Sequence, residues 1–322
     1  MITISDELKA LCGKKVLKLS LTSGCTCPNR DGRVGTGGCA FCSEGGSGEF
    51  AAPLAPIDHQ IAEAKKRVDA KFPKSLPENE RAYVAYFQSF TNTYGETERL
   101  RTLYGETISR PEIAALSIGT RPDCLEGDKL VMLKELAEIK PVWVELGLQT
   151  IHEETAAAMN RGYRLEVFDE ACHRLKEAGV TVIVHVILGL PGEIREMMLD
   201  TVRYVGEKLT NGPVINGSGC GPARGCPDGK MIQFQNGIKL QNLQVLKGTE
   251  LGRRYAREPF PLMTLQDYTK LTVDCLRLLP PDITIHRLTG DPPKNLLIAP
   301  AWCGDKKRTL NTLARAIREA GL

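Results

Sequence analysis

Polar and apolar side chains alternate over residues 14–22 (KKVLKLSLT), the two-residue period of a strand with one buried face. Short runs rich in apolar residues recur at 82–90, 112–119, 142–148 and 180–188. They read as further strands, buried on both faces. Between them, apolar residues recur at helical spacing over 56–72, 96–109, 126–139, twice within 152–179, and from 193 to about 209. Residues 74–81 are polar and carry prolines, a connector. Strand and helix thus alternate, the pattern of parallel β/α units covered on both sides. The stretch 211–237 breaks this pattern: it is glycine-rich and has no hydrophobic period. A sixth strand is predicted over 238–246, then a helix over 263–278, short strands over 286–289 and 296–299, and a basic helix over 305–320. Ligand groups in such folds sit on loops leaving the C-terminal ends of the strands. Loop 24–50 and the segments TNTY, TRPD, GLQT and GLPGE should therefore converge on one rim.

Composition narrows the class. The 322 residues are 42% hydrophobic and 25% charged, ordinary for a soluble globular chain. The first residues, MITISDELKA, show neither a basic n-region nor an apolar run, and the apolar run 180–190 is too short to span a bilayer. A cytoplasmic location without membrane contact is expected. There the eleven cysteines favour metal binding over disulfides. Net charge is +3, but residues 286–322 alone carry seven Lys/Arg against three Asp/Glu. A basic end of this kind fits a polyanionic partner or a solvated helix face.

The chemistry concentrates in GCTCPNRDGRVGTGGCAFCSEGGSGEF, residues 24–50. Cys27, Cys39 and Cys42 are spaced C-x11-C-x2-C within a glycine-dense loop that can wrap an inorganic cluster and offer it backbone amides. Three thiolates on a [4Fe–4S] cube leave one iron open to a small molecule. Cys25 adds a fourth sulfur, and four cysteines can also close a structural zinc site. In an extended chain Cys25 and Cys27 point in opposite directions, which favours the three-cysteine reading, but the loop by itself leaves both open.

Motifs along the rest of the chain bear on the choice. TCPNRDG (26–32), GTGGCAFC (35–42), YFQSFTNTY (86–94), IGTRPDCL (118–125), ELGLQT (145–150), NRG (160–162), ILGLPGE (187–193) and HRLTGD (286–291) occur in this order. Together they resemble the radical S-adenosylmethionine (SAM) superfamily, and within it the YhcC-like proteins related to the Elongator catalytic subunit. The resemblance implies a partial (β/α)6 barrel with a small C-terminal α+β extension. The barrel, with the cluster loop and an insertion near 211–237, would span 1–237, and the last strand with a substrate-side region 238–322. It also selects a [4Fe–4S] cluster over zinc. Cys25 stands where relatives usually have an aromatic, and reads as a packed small hydrophobe. Cys220 and Cys226 read as free thiols of a surface loop.

The resemblance assigns roles residue by residue. Cys27, Cys39 and Cys42 ligate the cluster. Ser89, Thr91 and Asn92 lie where relatives contact the SAM amino group; Gln149 suits the ribose hydroxyls and Arg161 the carboxylate. His185 stands at a ribose-binding position, though it also reads as a core histidine; Gly189 and Leu190 face the adenine, and Thr120 is a further candidate. Arg287, Asp291, Trp302, Lys306 and Lys307 are expected on the substrate side, the lysines meeting phosphates; Trp302 reads equally as an exposed platform stacking on a base and as a side chain buried against the barrel. The implied activity is reductive cleavage of SAM to a 5′-deoxyadenosyl radical, by an oxidoreductase or transferase that modifies the wobble-uridine side chain of tRNA. A flavodoxin or ferredoxin would supply electrons. The alternatives are a radical SAM enzyme acting on a small molecule or peptide, and a non-catalytic iron–sulfur or zinc-binding module.

Overall fold

The computed structural model describes residues 1–210 and 234–322. Most of the expected insertion, with Cys220 and Cys226, lies outside them. In chain order the elements are β1 (Ile2–Thr3), α1 (Ile4–Cys12), β2 (Val16–Leu21), α2 (Ile57–Val68), β3 (Ala82–Phe87), α3 (Thr97–Ile108), β4 (Ile113–Thr120) and α4 (Gly127–Ile139). Then follow β5 (Val142–Gln149), α5 (Glu153–Ala158), α6 (Leu165–Glu177), β6 (Thr181–Leu188), α7 (Arg195–Leu209), β7 (Gly237–Asn242) and β8 (Val245–Leu246). The chain ends with α8 (Glu250–Arg257), α9 (Leu265–Leu278), β9 (Thr284–Arg287), β10 (Leu297–Ala299) and α10 (Lys306–Glu319).

Eight strands form one parallel sheet in the order β1-β9-β7-β6-β5-β4-β3-β2, curled into an open half-barrel with helices outside. The six strands expected from the pattern are there. Two more extend the sheet beyond β7: β9, which begins two residues before the short strand expected over 286–289, and β1, which is too short to show a period. The expected strand 238–246 is in fact two. β7 stays in the barrel, the chain leaves it at Leu243, and β8 pairs antiparallel with β10 in a separate ribbon. The helix α8 is short and mostly charged, but turns Leu251 and Tyr255 on one face into an apolar cluster; the Thr249 side chain caps it.

The interior is built in layers, because every second residue of a strand faces the same way. At the strand N-termini, Val84, Ala115, Trp143 and Ile183 form an apolar floor with Phe234. Helix α1, started by a Thr3–Asp6 capping box, closes this end with Leu8 and Leu11. Its Glu7 accepts from Thr284 and from the Gln235 amide, tying it to β9. Two residues further along the same strands come Tyr86, Ser117, Glu145 and His185, which are polar. Outside, apolar faces such as Ile57 and Ile61, Leu100 and Tyr104, Met132 and Leu133, and Phe168 and Leu175 cover the sheet. No helix among the described residues is long and apolar enough to cross a membrane.

Trp143 anchors the floor, edge-on to Phe234 at 5.0 Å and to His286 at 5.6 Å, with its Nε1 buried and unpartnered. Trp143→Ala should cost about 3–5 kcal/mol of stability. Trp143→Phe should cost far less, since the lost N–H has no partner to forfeit. Urea denaturation of both variants checks this; equal losses would mean that the indole N–H is held after all.

Candidate functional site

The C-terminal ends of the strands open into a cavity of about 880 Å³. The cysteine loop forms one wall. Tight turns bring Arg30 N to Cys27 O and Cys42 N to Cys39 O, both at 2.9 Å. The loop is held from several sides. The Arg30 guanidinium lies 5.4 Å from the Phe90 ring and donates to the carbonyls of Cys42 and Ser43. Asn29 donates to Asn160 O at 2.6 Å, and Asn160, itself at φ 53°, returns a bond to Gly38 O at 2.7 Å. Gly46 is obligatory: at φ 60°, a Cβ there would lie 2.3 Å from Phe90.

Cys27, Cys39 and Cys42 all line the cavity. Cys25 does not; it is buried in the main core and accepts a hydrogen bond from Arg99 at 3.1 Å. It is thus packed as expected, with a polar partner that its small-hydrophobe reading did not include. Hydrogen bonds from Cys39 and Ser47 outweigh burial and bring the Cys42 thiol down to about 7, while the same bond pushes Cys39 up. Three buried polar atoms of the loop have no partner: Asn29 Oδ1, Ser43 Oγ and Glu49 Oε1. Among the described residues no three Cys, His, Asp or Glu side chains are grouped to hold a single metal ion. Three free thiols line the cavity while Cys25 is turned into the core, so the wall offers three sulfur ligands, which suits a [4Fe–4S] cube with one open iron better than a four-cysteine zinc site.

Of the other residues expected to contact cofactor, Thr91, Thr120, Gln149, Arg161 and His185 line the cavity. Gln149 stands at φ 71°, just past the point where the pairing of β5 with β6 shifts register, and lines the cavity. Gly147 makes room for it: a Cβ there would lie 2.7 Å from Gln149 Nε2. Arg161 is buried, and donates to the carbonyls of Leu148, Thr150 and Tyr163 and to Glu153. It and Arg121 both lie over the Tyr163 ring, at 4.7 and 5.0 Å. Thr120 shares a 2.6 Å hydrogen bond with Thr93.

Ser89, Asn92, Gly189 and Leu190 are not on the cavity wall. Ser89 packs against Gly48, whose Cβ would lie 2.0 Å from its Oγ. Asn92 is fully buried and clamps the ends of β3 and β4, donating to Phe87 O and Gly119 O at 3.0 and 2.8 Å and accepting from Ser23. Leu190 belongs to an apolar cluster with Ala40, Met159 and Leu251 under the cysteine loop. Gly189 takes φ 92° in the turn before it.

On the other wall, Arg287, Asp291 and Lys306 line the cavity, with Lys306 ion-paired to Asp291. Lys307 is exposed on a separate shallow surface with Lys294 and Asp305. Of the two readings of Trp302, the structure favours burial over an exposed stacking platform. The side chain is half-buried beside Tyr268, ring centroids 5.3 Å apart, and donates Nε1–H to Met263 O at 2.9 Å. Its apolar ring finds core contacts and its one donor an acceptor inside the fold.

The polar layer beneath the cavity escaped sequence reasoning. Glu145 is 1% exposed and accepts from Ser117 at 2.7 Å, from His185 Nε2 at 2.8 Å, and from Lys239, with Lys18 at 3.5 Å. Lys239 is itself 1% exposed and lies over the Tyr86 ring. Burial would raise Glu145, but Lys239, Lys18 and His185 together hold its pKa well below the usual range. Burial and the charge of Lys239 push His185 down to about 4 despite Glu145. The ring is therefore neutral at pH 7, its Nε2–H given to Glu145 and its Nδ1 facing Gln241 Nε2 at 3.3 Å. The available signal was the placing of lysines and a glutamate inside otherwise apolar strands, in KKVLKLSLT, VWVELGLQ and GIKLQN.

His185 makes stability pH-dependent. Its pKa is about 4 when folded against an ordinary 6.5. Between these values the unfolded chain holds the extra proton, so stability rises with pH through that window. The contribution is complete above about 6.5, is lost as pH falls toward 4, and is at most about 3 kcal/mol. Urea denaturation from pH 4.5 to 7.5 should show this slope, and His185→Gln should flatten it.

The chain can now be set beside known proteins. A model of the radical SAM superfamily matches residues 27–205, and one of the radical SAM C-terminal domain matches residues 235–319. YtqA of Bacillus subtilis is 36% identical over 320 residues, covering 99% of this chain and 90% of YtqA. YhcC of Escherichia coli K12 is 32% identical over 311 residues, covering 96% and 90%. A tRNA uridine(34) acetyltransferase of Dehalococcoides mccartyi is 30% identical over 205 residues, covering 62% of this chain and 38% of its own. The solved structure of Methanocaldococcus infernus Elp3 superposes with a TM-score of 0.62 at 17% identity, over 95% of this chain and 63% of Elp3, so the two share the fold.

Proposed function

The chain belongs to the radical SAM superfamily and there to the YhcC-like proteins related to the Elongator catalytic subunit, and from that premise we propose that it modifies the wobble uridine of tRNA. Its family cofactors are a [4Fe–4S] cluster and SAM. Cys27, Cys39 and Cys42 are the residues that would hold the cluster, on the single observation that all three face one cavity at the strand ends. When bound, the reduced cluster supplies the electron for cleaving SAM to methionine and a 5′-deoxyadenosyl radical. The chain's part is to hold the reactants in place and keep water away. Gln149, on the cavity wall, offers the donor and the acceptor of its side-chain amide to a ribose; Thr91, Thr120, Arg161 and His185 shape the same pocket.

Two observations support a tRNA substrate. Relatives matched over 62% of this chain are tRNA uridine(34) acetyltransferases. The cavity wall carries eight Lys/Arg against three Asp/Glu, and residues 286–322 are basic as a whole, as suits a polyanion. A flavodoxin or ferredoxin in the cytoplasm is the reductant this reading calls for. The division into 1–237 and 238–322 goes with it, the second part contributing Arg287, Asp291 and Lys306 to the substrate wall, with Lys307 beside it.

Replacing Cys27, Cys39 or Cys42 with Ala should abolish iron–sulfur absorbance and 5′-deoxyadenosine release after anaerobic reconstitution, while Cys25→Ala keeps both. Equal iron loss in Cys25→Ala would overturn the ligand assignment.

Gln149→Ala should weaken SAM binding by about 1 kcal/mol, roughly fivefold, with iron content unchanged. Equilibrium dialysis checks it, and unaltered affinity would remove Gln149 from the site.

Nucleoside profiles of tRNA from a deletion strain, with gel shifts at two salt concentrations, test the substrate. An unchanged profile together with no salt-dependent binding would leave the radical chemistry standing and point to a small molecule or peptide.

A further inference from the structure

The floor of the cavity gathers three basic side chains beside one carboxylate; burial lowers the pKa of both lysines, that of Lys239 most, and the guanidinium of Arg287 is the cation that keeps its charge. Lys18, Lys239 and Arg287 gather around Glu145, the one acidic side chain in this polar layer. Lys239 is accounted for as the partner of Glu145. Lys18 shares that same carboxylate at 3.5 Å and otherwise lies over the rings of Tyr86 and Trp143. The Arg287 guanidinium has no hydrogen bond or ion pair among the described residues, yet lines the same cavity. Beside it both ring nitrogens of His286 are buried without a partner. Burial and the charge of Lys18 and Lys239 keep this ring neutral, so it can offer one N–H without adding charge. Unneutralised cations in a walled cavity are costly unless a counter-charge arrives, and a forked guanidinium with free donors matches two oxygens of one group.

We propose that this floor is an oxyanion-binding subsite that takes a carboxylate or phosphate of the substrate, with Arg287 as the forked donor, His286 as a second donor and Lys18 supplying charge. The subsite rests on the reading that this cavity receives the substrate, and is independent of that substrate's being RNA. It gives a reason for the charge imbalance that the Glu145–Lys239 pair leaves over. It also places the recognised group below the rim, so the bond that reacts lies between that anchor and the cysteine wall.

The test is binding of inorganic phosphate, acetate and uridine 5′-monophosphate to the full chain, by calorimetry and by thermal shift, with chloride at matched ionic strength as control. Wild type should bind phosphate or acetate saturably, and the preferred one identifies the group. Arg287→Gln should weaken that binding about tenfold or more, with an unchanged urea midpoint because the side chain has no partner to lose. Arg287→Lys should recover part of it. Arg67→Gln and Lys71→Gln, on the rim of the same cavity, should bind like wild type. Absence of saturable binding by wild type, an unaltered affinity in Arg287→Gln, or loss of binding in the rim variants instead would overturn the subsite. Gel shifts of tRNA with the same proteins separate the two readings: anion binding without tRNA binding refutes only the RNA substrate.

Discussion

Glu145 sits at the centre of the barrel as an ionised carboxylate in a place where burial opposes ionisation. It stays charged because cations from β2 and β7 and a neutral imidazole from β6 converge on it, and because Ser117 of β4 donates to it. One side chain thereby links four strands, apart from its own, by polar contacts in addition to the backbone ladder. The link depends on register. Moving any of these strands by one residue would turn its polar group into the helix layer. The dry floor below, sealed by Trp143 and α1, keeps water from reaching this layer from the strand N-termini. The cavity above is its one outlet to the reactants.

The cysteine wall depends on a different kind of order. Loop 24–50 holds no helix or strand beyond a bridge between Asp31 and Thr36, so its shape is fixed by single bonds: Arg30 within the loop, Asn160 from the segment after α5, and backbone bonds joining Ala40 to Met159 and Leu251. Helix α8 thus supports the loop from outside the barrel. Three cysteines distant in sequence from α5 and α8 keep their places because those elements are packed beneath them. The opposite wall is fixed by Asn242, which accepts from Thr289 and the Gly290 amide and so holds the chain just past Arg287.

The parallel β/α repeat was legible because strands buried on both faces and amphipathic helices impose different periods on a chain, and β2 to β7 repeat them long enough to be seen. The cysteine motif was legible for its spacing. Trp302 stayed open between an exposed and a buried reading because its partners, the Tyr268 ring and the Met263 carbonyl, lie far from it in sequence. Asn92 sits in a motif that resembles a cofactor loop, but its amide is spent on clamping two strands. Lys18, Glu145 and Lys239 were passed over because charge inside an apolar strand carries no local sign of where its partner is.

Local pattern therefore settled the parallel β/α class and the run of strands and helices along the chain, since each depends on residues close in sequence, while the choice among the cysteines needed the family resemblance. Only the tertiary structure decided that β9 and β1 extend the sheet, and that Cys25 turns into the core while Cys27, Cys39 and Cys42 face the cavity. It alone placed Lys18, Glu145, Lys239 and Arg287 in one layer. Such pairings join segments as far apart as residues 18 and 287, and their energies come from burial and Coulomb attraction between groups that meet only when the sheet has curled.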